Sequence, residues 1–181
     1  MNLLTERIEL KAVKEAKVEE VRNYLLKNEA FLAEWEPIRG DDYYSEETIR
    51  KDLENKRCEM EQGKALHYFI YLNSNSKLIG TISLSNIVRG AFLSCFLGYK
   101  LDYEYLNKGL MTEALELVIK KGFTELSLHR IEANAMPRNI RSKRVLEKSG
   151  FMNEGISRKY LKINGKWEDH EHFVLLNSEL E

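Results

Sequence analysis

Hydrophobic and polar positions alternate most cleanly near the middle of the chain. Leu93, Cys95, Leu97, Tyr99 and Leu101 take turns with Ser94, Phe96, Gly98 and Lys100, a period of two that predicts a strand over 93–101. Further on, Leu115, Val118, Ile119, Gly122, Phe123 and Leu126 recur at helical spacing. The stretch 103–115, Y-E-Y-L-N-K-G-L-M-T-E-A-L, joins the two, so a strand runs through a glycine-containing loop into a helix. Before it, 7–13 alternates Ile8, Leu10 and Ala12 with charged residues and predicts an opening strand. A helical pattern over 18–33 ends at Glu34-Trp35-Glu36-Pro37, because the residue preceding a proline disfavours the helical region. Ser45-Glu46-Glu47-Thr48 marks a second helix start, with acids in the first turn and Gly63 as its stop.

Strands are predicted over 67–72 and 77–86, joined by a turn at Asn73-Ser74-Asn75-Ser76, with Gly80 as a bulge position. Val88-Arg89-Gly90-Ala91 turns into the strand at Leu93. A short strand over 130–135 is broken by Pro137-Arg138-Asn139. Ser142, Val145, Leu146 and Ser149 then form one stripe of a short helix stopped by Gly150. Residues 151–162 read as extended, and Asn164-Gly165 is a hairpin turn leading into a return strand over 167–176. The order is strand, two helices, three strands, helix, strand, helix, two strands. It predicts an α/β fold, one domain over 1–181, with a mixed, mostly antiparallel sheet flanked by helices.

Composition narrows the function classes. The chain has 181 residues, 43% hydrophobic and 31% charged, as expected of an ordinary globular domain. The formal net charge is −1 with Lys and Arg scattered, which argues against direct nucleic-acid binding. Cys58 and Cys95 lie far apart outside any C-x-x-C context and read as reduced structural cysteines. No apolar run nears the roughly 18 residues of a membrane helix, and the first residues carry no apolar signal core. The expected location is cytoplasmic, with no membrane partner.

Four places could carry chemistry or substrate contacts. The loop before the third helix could bind phosphate through the free N–H groups at a helix N-terminus. Equally, Gly109 could provide only a turn, with Asn107 or Thr112 as a plain cap. The loop is neither a Walker loop nor a G-x-G-x-x-G fingerprint. Asn139 and Ser142, three apart at a helix start, share one side; by themselves they read as an N-cap and a first-turn polar residue. His170 and His172 face one way on a strand near Glu168 and Asp169, but a salt-linked strand fits them better than a metal site, so no metal is expected. Trp35 reads either as the wall of an acceptor pocket or as a core tryptophan at a helix end.

Taken together, 103–115 and the stretch 134–155, N-A-M-P-R-N-I-R-S-K-R-V-L-E-K-S-G-F-M-N-E-G, resemble the two cofactor motifs of the GNAT superfamily of N-acetyltransferases. Within it the chain is most similar to the RimJ/RimL-type protein N-terminal acetyltransferases, from T-E-R-I-E-L-K at its start to N-G-K-W-E-D-H near its end. The resemblance implies the acyl-CoA N-acyltransferase fold, acetyl-CoA as co-substrate and direct transfer to an amine. The implied acceptor is a protein N-terminal Ser or Ala amine of the ribosomal-protein type. The alternatives are a small amine, such as a polyamine or antibiotic, and a catalytically inactive CoA-binding module. It implies a cofactor site of Leu101, Asn107, Lys108, Gly109, Leu110, Met111 and Thr112, with Asn139 on the pantetheine arm and Ser142 as hydrogen-bond donor to the sulfur. Trp35, Tyr99 and His170 are the implied acceptor-side residues, backbone N–H groups near 99–101 the implied partners of the thioester oxygen, and a homodimer or larger homo-oligomer the implied assembly. The chain departs from the family loop Q/R-x-x-G-x-G/A, with Leu106 at the Gln/Arg position and Met111 at the final Gly/Ala position. The strand position that carries a basic Glu in some relatives reads Arg158-Lys159-Tyr160-Leu161 here, which leaves Glu34, His67 and the segment 168–172 as candidate bases.

Overall fold

In the computed structural model, which describes residues 2–180, every predicted element is present in the predicted order. The strands are β1 (Leu3–Leu4), β2 (Ile8–Ala12), β3 (Leu66–Leu72), β4 (Leu78–Val88), β5 (Ser94–Leu101), β6 (Arg130–Ala135), β7 (Met152–Ile163) and β8 (Lys166–Leu176). The helices are α1 (Val18–Leu32), α2 (Glu46–Glu61), α3 (Leu110–Thr124) and α4 (Ile140–Lys148). Among the strands and α-helices only β1 was not predicted: two residues pairing Leu3 with Leu10 and Leu4 with Glu9 are too few to show a period. The strands form one sheet in the order β1-β2-β3-β4-β5-β6-β8-β7, a mixed α/β arrangement in which only β5 and β6 run parallel.

Period-two alternation sorts the sheet's side chains onto two helical layers. On β3, Tyr68 and Ile70 join the core cluster that includes Leu110, Leu115 and Val118 of α3 and Leu146 of α4. Their neighbours Phe69 and Tyr71 pack instead with Val21, Tyr24 and Leu25 of α1 and Ile49 of α2. A strand buried on both faces must read as a continuous apolar run, and Tyr68-Phe69-Ile70-Tyr71 does. Ser45 caps α2 by accepting the Thr48 N–H at 3.2 Å. Asn164 and Gly165, at φ 43° and 79°, provide the two positive dihedrals that a tight β7–β8 turn needs. That turn does not hang free, because Asn164 N–H donates to the Glu36 carbonyl at 2.9 Å, tying the hairpin tip to the connection after α1.

The parallel pair opens the site. β5 and β6 pair only at Ser94–Arg130, Cys95–Ile131 and Phe96–Glu132. Beyond Phe96 the two strands are no longer paired, and β6 continues on β8 while β5 continues on β4. The C-terminal half of β5 therefore has one ladder edge without a strand partner. In an antiparallel ladder alternate residues point opposite ways. Asp102 N–H donates to the Ile79 carbonyl on the β4 side at 2.7 Å, and Ser83 and Ser85 hydroxyls approach the carbonyls of Gly98 and Phe96 from that side. So the N–H groups of Tyr99 and Leu101 face the gap.

Candidate active site

A cleft of about 320 Å³ lies over this gap, at the C-terminal ends of the parallel strands, where ligands of open α/β sheets bind. Its walls are the end of α1 (Phe31, Leu32, Trp35), β5 (Tyr99, Lys100, Leu101), the loop and first turn at 105–112, and α4 (Asn139, Arg141, Ser142, Arg144, Val145, Lys148). All the sequence-predicted residues of the two motifs thus meet in one cleft, with Trp35 and Tyr99. His170 is not among the residues lining it.

The loop is built to present backbone. Asn107 and Gly109 both take positive φ, 59° and 78°, and Gly109 is the N-cap of α3 with no side chain capping it. The first helical bond runs from Glu113 N–H to the Gly109 carbonyl, so the N–H groups of Leu110, Met111 and Thr112 have no helical acceptor. Neither Asn107 nor Thr112 caps them. Arg7 at the start of β2 holds the loop from behind, donating to the Lys108 carbonyl at 2.9 Å and to Glu113. The Met111 side chain, only 6% exposed, belongs to the main core cluster, and Leu106 packs against that cluster. These two departures from the family loop are therefore absorbed by the core, and the backbone donors remain.

The charges around the cleft have one sign. Lys100, Lys108, Arg141, Arg144 and Lys148 line it and no carboxylate does. Lys100 is neutralised by Glu36 at 2.6 Å, Lys108 lies over the Tyr105 ring and Arg141 over the Phe31 ring. Arg141, Arg144 and Lys148 fall at i, i+3 and i+7, one face of α4. This stripe is a site feature that the sequence-predicted site residues do not include, although its spacing is readable in the sequence. A fixed N-terminal dipole beside cations suits an anionic, phosphate-bearing ligand.

At the cleft's inner end, Asn139 Oδ1 accepts the Ser142 N–H at 3.1 Å and so caps α4. Its amide nitrogen makes no hydrogen bond among the described residues. Ser142 Oγ is 2.8 Å from the Tyr99 hydroxyl. Burial pushes the Tyr99 phenol up to about 12, more than the hydrogen bond to Ser142 lowers it, so it stays protonated near neutral pH.

A second cleft, of about 330 Å³, abuts the first and shares Leu32, Trp35, Tyr99 and Lys100 with it. Its floor is the other face of the sheet: His67 and Phe69 on β3, Thr81 and Ser83 on β4, and Gly98 and Lys100 on β5. The His67 Nε2 is 2.7 Å from a Glu59 carboxylate oxygen, and burial lowers its pKa although Glu59 opposes this. Of the other candidate bases, Glu34 and Glu168 flank Arg138, at 3.7 and 2.9 Å, and Arg138 also covers the Trp35 ring. His170 is buried, 5.7 Å from the Tyr160 ring, with its Nδ1 3.1 Å from the Glu168 carbonyl, while His172 Nε2 is 2.8 Å from the Ser157 hydroxyl. Among the described residues no cluster of three or more His, Cys, Asp or Glu side chains could hold a metal ion, and no helix is long and apolar enough to cross a membrane.

Comparison with known proteins places the fold and the family. Residues 7–152 match the family model of the acetyltransferase (GNAT) domain. The chain is 49% identical over 150 residues to the probable N-acetyltransferase YjcK of Bacillus subtilis, covering 83% of each protein. The ribosomal-protein-S5-alanine acetyltransferase of Vibrio fischeri superposes with a TM-score of 0.92 at 34% identity, covering 100% of this chain and 99% of that one. RimJ of Mycobacterium smegmatis, solved in complex with CoA-disulfide, superposes with a TM-score of 0.86 at 28% identity over 96% of this chain and 83% of its own.

Proposed function

The chain belongs to the GNAT acetyltransferase family, and on that premise we propose that it transfers acetyl from acetyl-CoA to the N-terminal amine of a protein, a Ser or Ala terminus of the ribosomal-protein type. The observation that carries the reading is the pair of joined clefts: one cationic and rich in free N–H groups, the other holding His67, Thr81 and Ser83 and reaching the first at Tyr99. The first fits a CoA in its donor set. The N–H groups of Leu110, Met111 and Thr112 would take the pyrophosphate, with Leu101, Asn107, Lys108 and Gly109 around it. Arg144 and Lys148 would meet the remaining phosphate charge. Asn139 would bind the pantetheine arm and Ser142 the sulfur, and the N–H groups of Tyr99 and Leu101 would face the thioester oxygen.

The acceptor amine would enter from the second cleft. An α-amino group has a pKa of about 7.7–8.0, so an appreciable fraction is neutral at physiological pH and needs only a weak base. His67, kept neutral by burial, lies in that cleft with Glu59 holding Nε2, which leaves Nδ1 as a proton acceptor, directly or through a water. The N–C bond forms as the C–S bond breaks, and the proton that the amine loses balances the one that the thiol gains. Neither cysteine lines either cleft, which fits direct transfer without an acyl-enzyme.

The test is turnover with acetyl-CoA on short peptides starting Ala or Ser, on the same peptides with a blocked N-terminus and an internal lysine, and on spermidine. The reading expects an acetyl adduct on the free N-termini only. Turnover of spermidine with none on any peptide would replace it by small-amine acetylation, and no turnover on any of these acceptors would count against it.

A further inference from the structure

We propose that Tyr99 is a positioning residue: its hydroxyl donates to Ser142 Oγ and so turns the serine's own proton into the cleft, toward the sulfur that leaves. The inference rests on the CoA reading above and adds the group that sets Ser142's direction. A serine hydroxyl has one proton and can aim it several ways. At Ser142 the choice is constrained. The Tyr99 hydroxyl lies 2.8 Å from Oγ and 3.2 Å from the Ser142 carbonyl, and among the described residues no other side chain approaches Oγ closely enough for a hydrogen bond. The carbonyl belongs to the first turn of α4, where the helix itself supplies an acceptor's partner. Oγ is therefore the better acceptor for the phenol, both by distance and by vacancy. Once Tyr99 donates there, the Ser142 proton points elsewhere, and the cleft is the open side.

Chemistry limits what the pair can do. The phenol, raised to about 12, is a far weaker acid than a thiol and does not yield its proton to a thiolate. Tyr99 therefore does not act as an acid. It polarises Ser142, and the pair donates a two-step hydrogen bond to developing negative charge on sulfur. No proton is consumed by the pair: the one that ends on the thiol is the one that the amine loses. Tyr99 is suited to this by its place on the open edge of β5, a wall common to both clefts.

The experiment pairs Tyr99→Phe with Ser142→Ala, and Tyr99→Phe keeps the ring that the fold needs. With the best peptide acceptor, Tyr99→Phe should lower kcat about 10-fold, the worth of one hydrogen bond, with KM for acetyl-CoA within about twofold. Tyr99→Phe added to Ser142→Ala should cost nothing further, because its effect passes through that hydroxyl. Losses that multiply would overturn the proposal. A second readout needs no turnover. At pH 10, where much more of the thiol is ionised than near neutrality, calorimetry should show Tyr99→Phe and Ser142→Ala weakening CoA by similar factors and leaving desulfo-CoA unchanged. Equal losses for both ligands would mean that Tyr99 only shapes the cleft. Wild-type protein that binds neither ligand would overturn the CoA reading itself, whatever Tyr99 does.

Discussion

Replacing Lys27 by methionine strikes the joint between α1 and the strand that leads into the loop. Asp102 follows β5, and its side chain is 1% exposed. Lys27 Nζ donates to its Oδ2 at 2.7 Å and also reaches Glu104, while Asp102 Oδ1 accepts the Glu104 N–H at 3.0 Å. Next to it Tyr103 N–H donates to the fully buried Asn28 of α1 at 3.1 Å. Methionine keeps the stem of Lys27 and removes the charge. The carboxylate is then left buried with a single N–H partner. Stripping one member from a buried ion pair costs about 3–5 kcal/mol. Lys27 is 28% exposed, so water can approach from its side, and the loss should fall to about 2–3 kcal/mol. For a chain of this size that lowers the melting midpoint by about 4–12 °C. Urea unfolding of wild type, Lys27→Met and Lys27→Met/Asp102→Asn measures it. The double variant removes the stranded charge and keeps the oxygen that accepts the Glu104 N–H, so it should be more stable than Lys27→Met alone. A Lys27→Met variant within about 0.5 kcal/mol of wild type, or a double variant no better than the single, would refute the reasoning.

Other perturbations test other parts. A Cβ at Gly80 would lie 2.5 Å from the Lys100 carbonyl oxygen, so Gly80→Ala must push β4 and β5 apart and should cost about 1–3 kcal/mol in urea unfolding. Reversing Arg144 and Lys148 to glutamate should raise the dissociation constant for CoA at least about 10-fold in low salt, and the deficit should shrink in about 0.5 M salt, where surface charge is screened; calorimetry at the two ionic strengths reads both. His67 and His170 are both held below their ordinary pKa, each chiefly by burial, so the unfolded chain binds their protons more readily. Their contribution to stability is full above the unfolded value of about 6.5 and is lost as pH falls through the folded values. Melting midpoints should therefore decline from pH 7.5 to 5, and His67→Gln should flatten the slope.

Most elements were legible because their signals are local. Ser45 three residues before the Thr48 N–H, Asn164-Gly165 between two alternating runs, and the 93–101 alternation all act within a few residues of chain. The sheet order was not legible in the same way. The return strand β8 lies between β6 and β7, and nothing in the periodicity of 151–176 says which strand of the hairpin pairs with β6. Nor does any pattern tell that β5 and β6 stop pairing after Phe96, which is what opens the cleft. In the site, spacing alone showed Asn139 and Ser142 only as a cap and a first-turn residue, and it was the family resemblance that pointed to them as site residues. Their meeting with Tyr99, 43 positions from Ser142, depends on the whole sheet. The second cleft is more remote still, since His67, Ser83 and Gly98 become neighbours only through the β3–β4–β5 register. His170, singled out beside His172 as an acceptor-side residue, packs against Tyr160 outside the first cleft, because strand alternation says which residues share a face and not what covers it.

Amide hydrogen exchange with and without CoA tests the central claim most directly. The N–H groups of Leu110, Met111 and Thr112 at the start of α3, and of Tyr99 and Leu101 on the open edge of β5, lack strand or helix acceptors and should exchange through local opening. The account predicts that saturating CoA slows exchange at these five amides directly, with the β7–β8 hairpin turn at Asn164-Gly165 little changed. Protection confined to the hairpin, or none at the five amides in a complex that calorimetry shows to be formed, would contradict it.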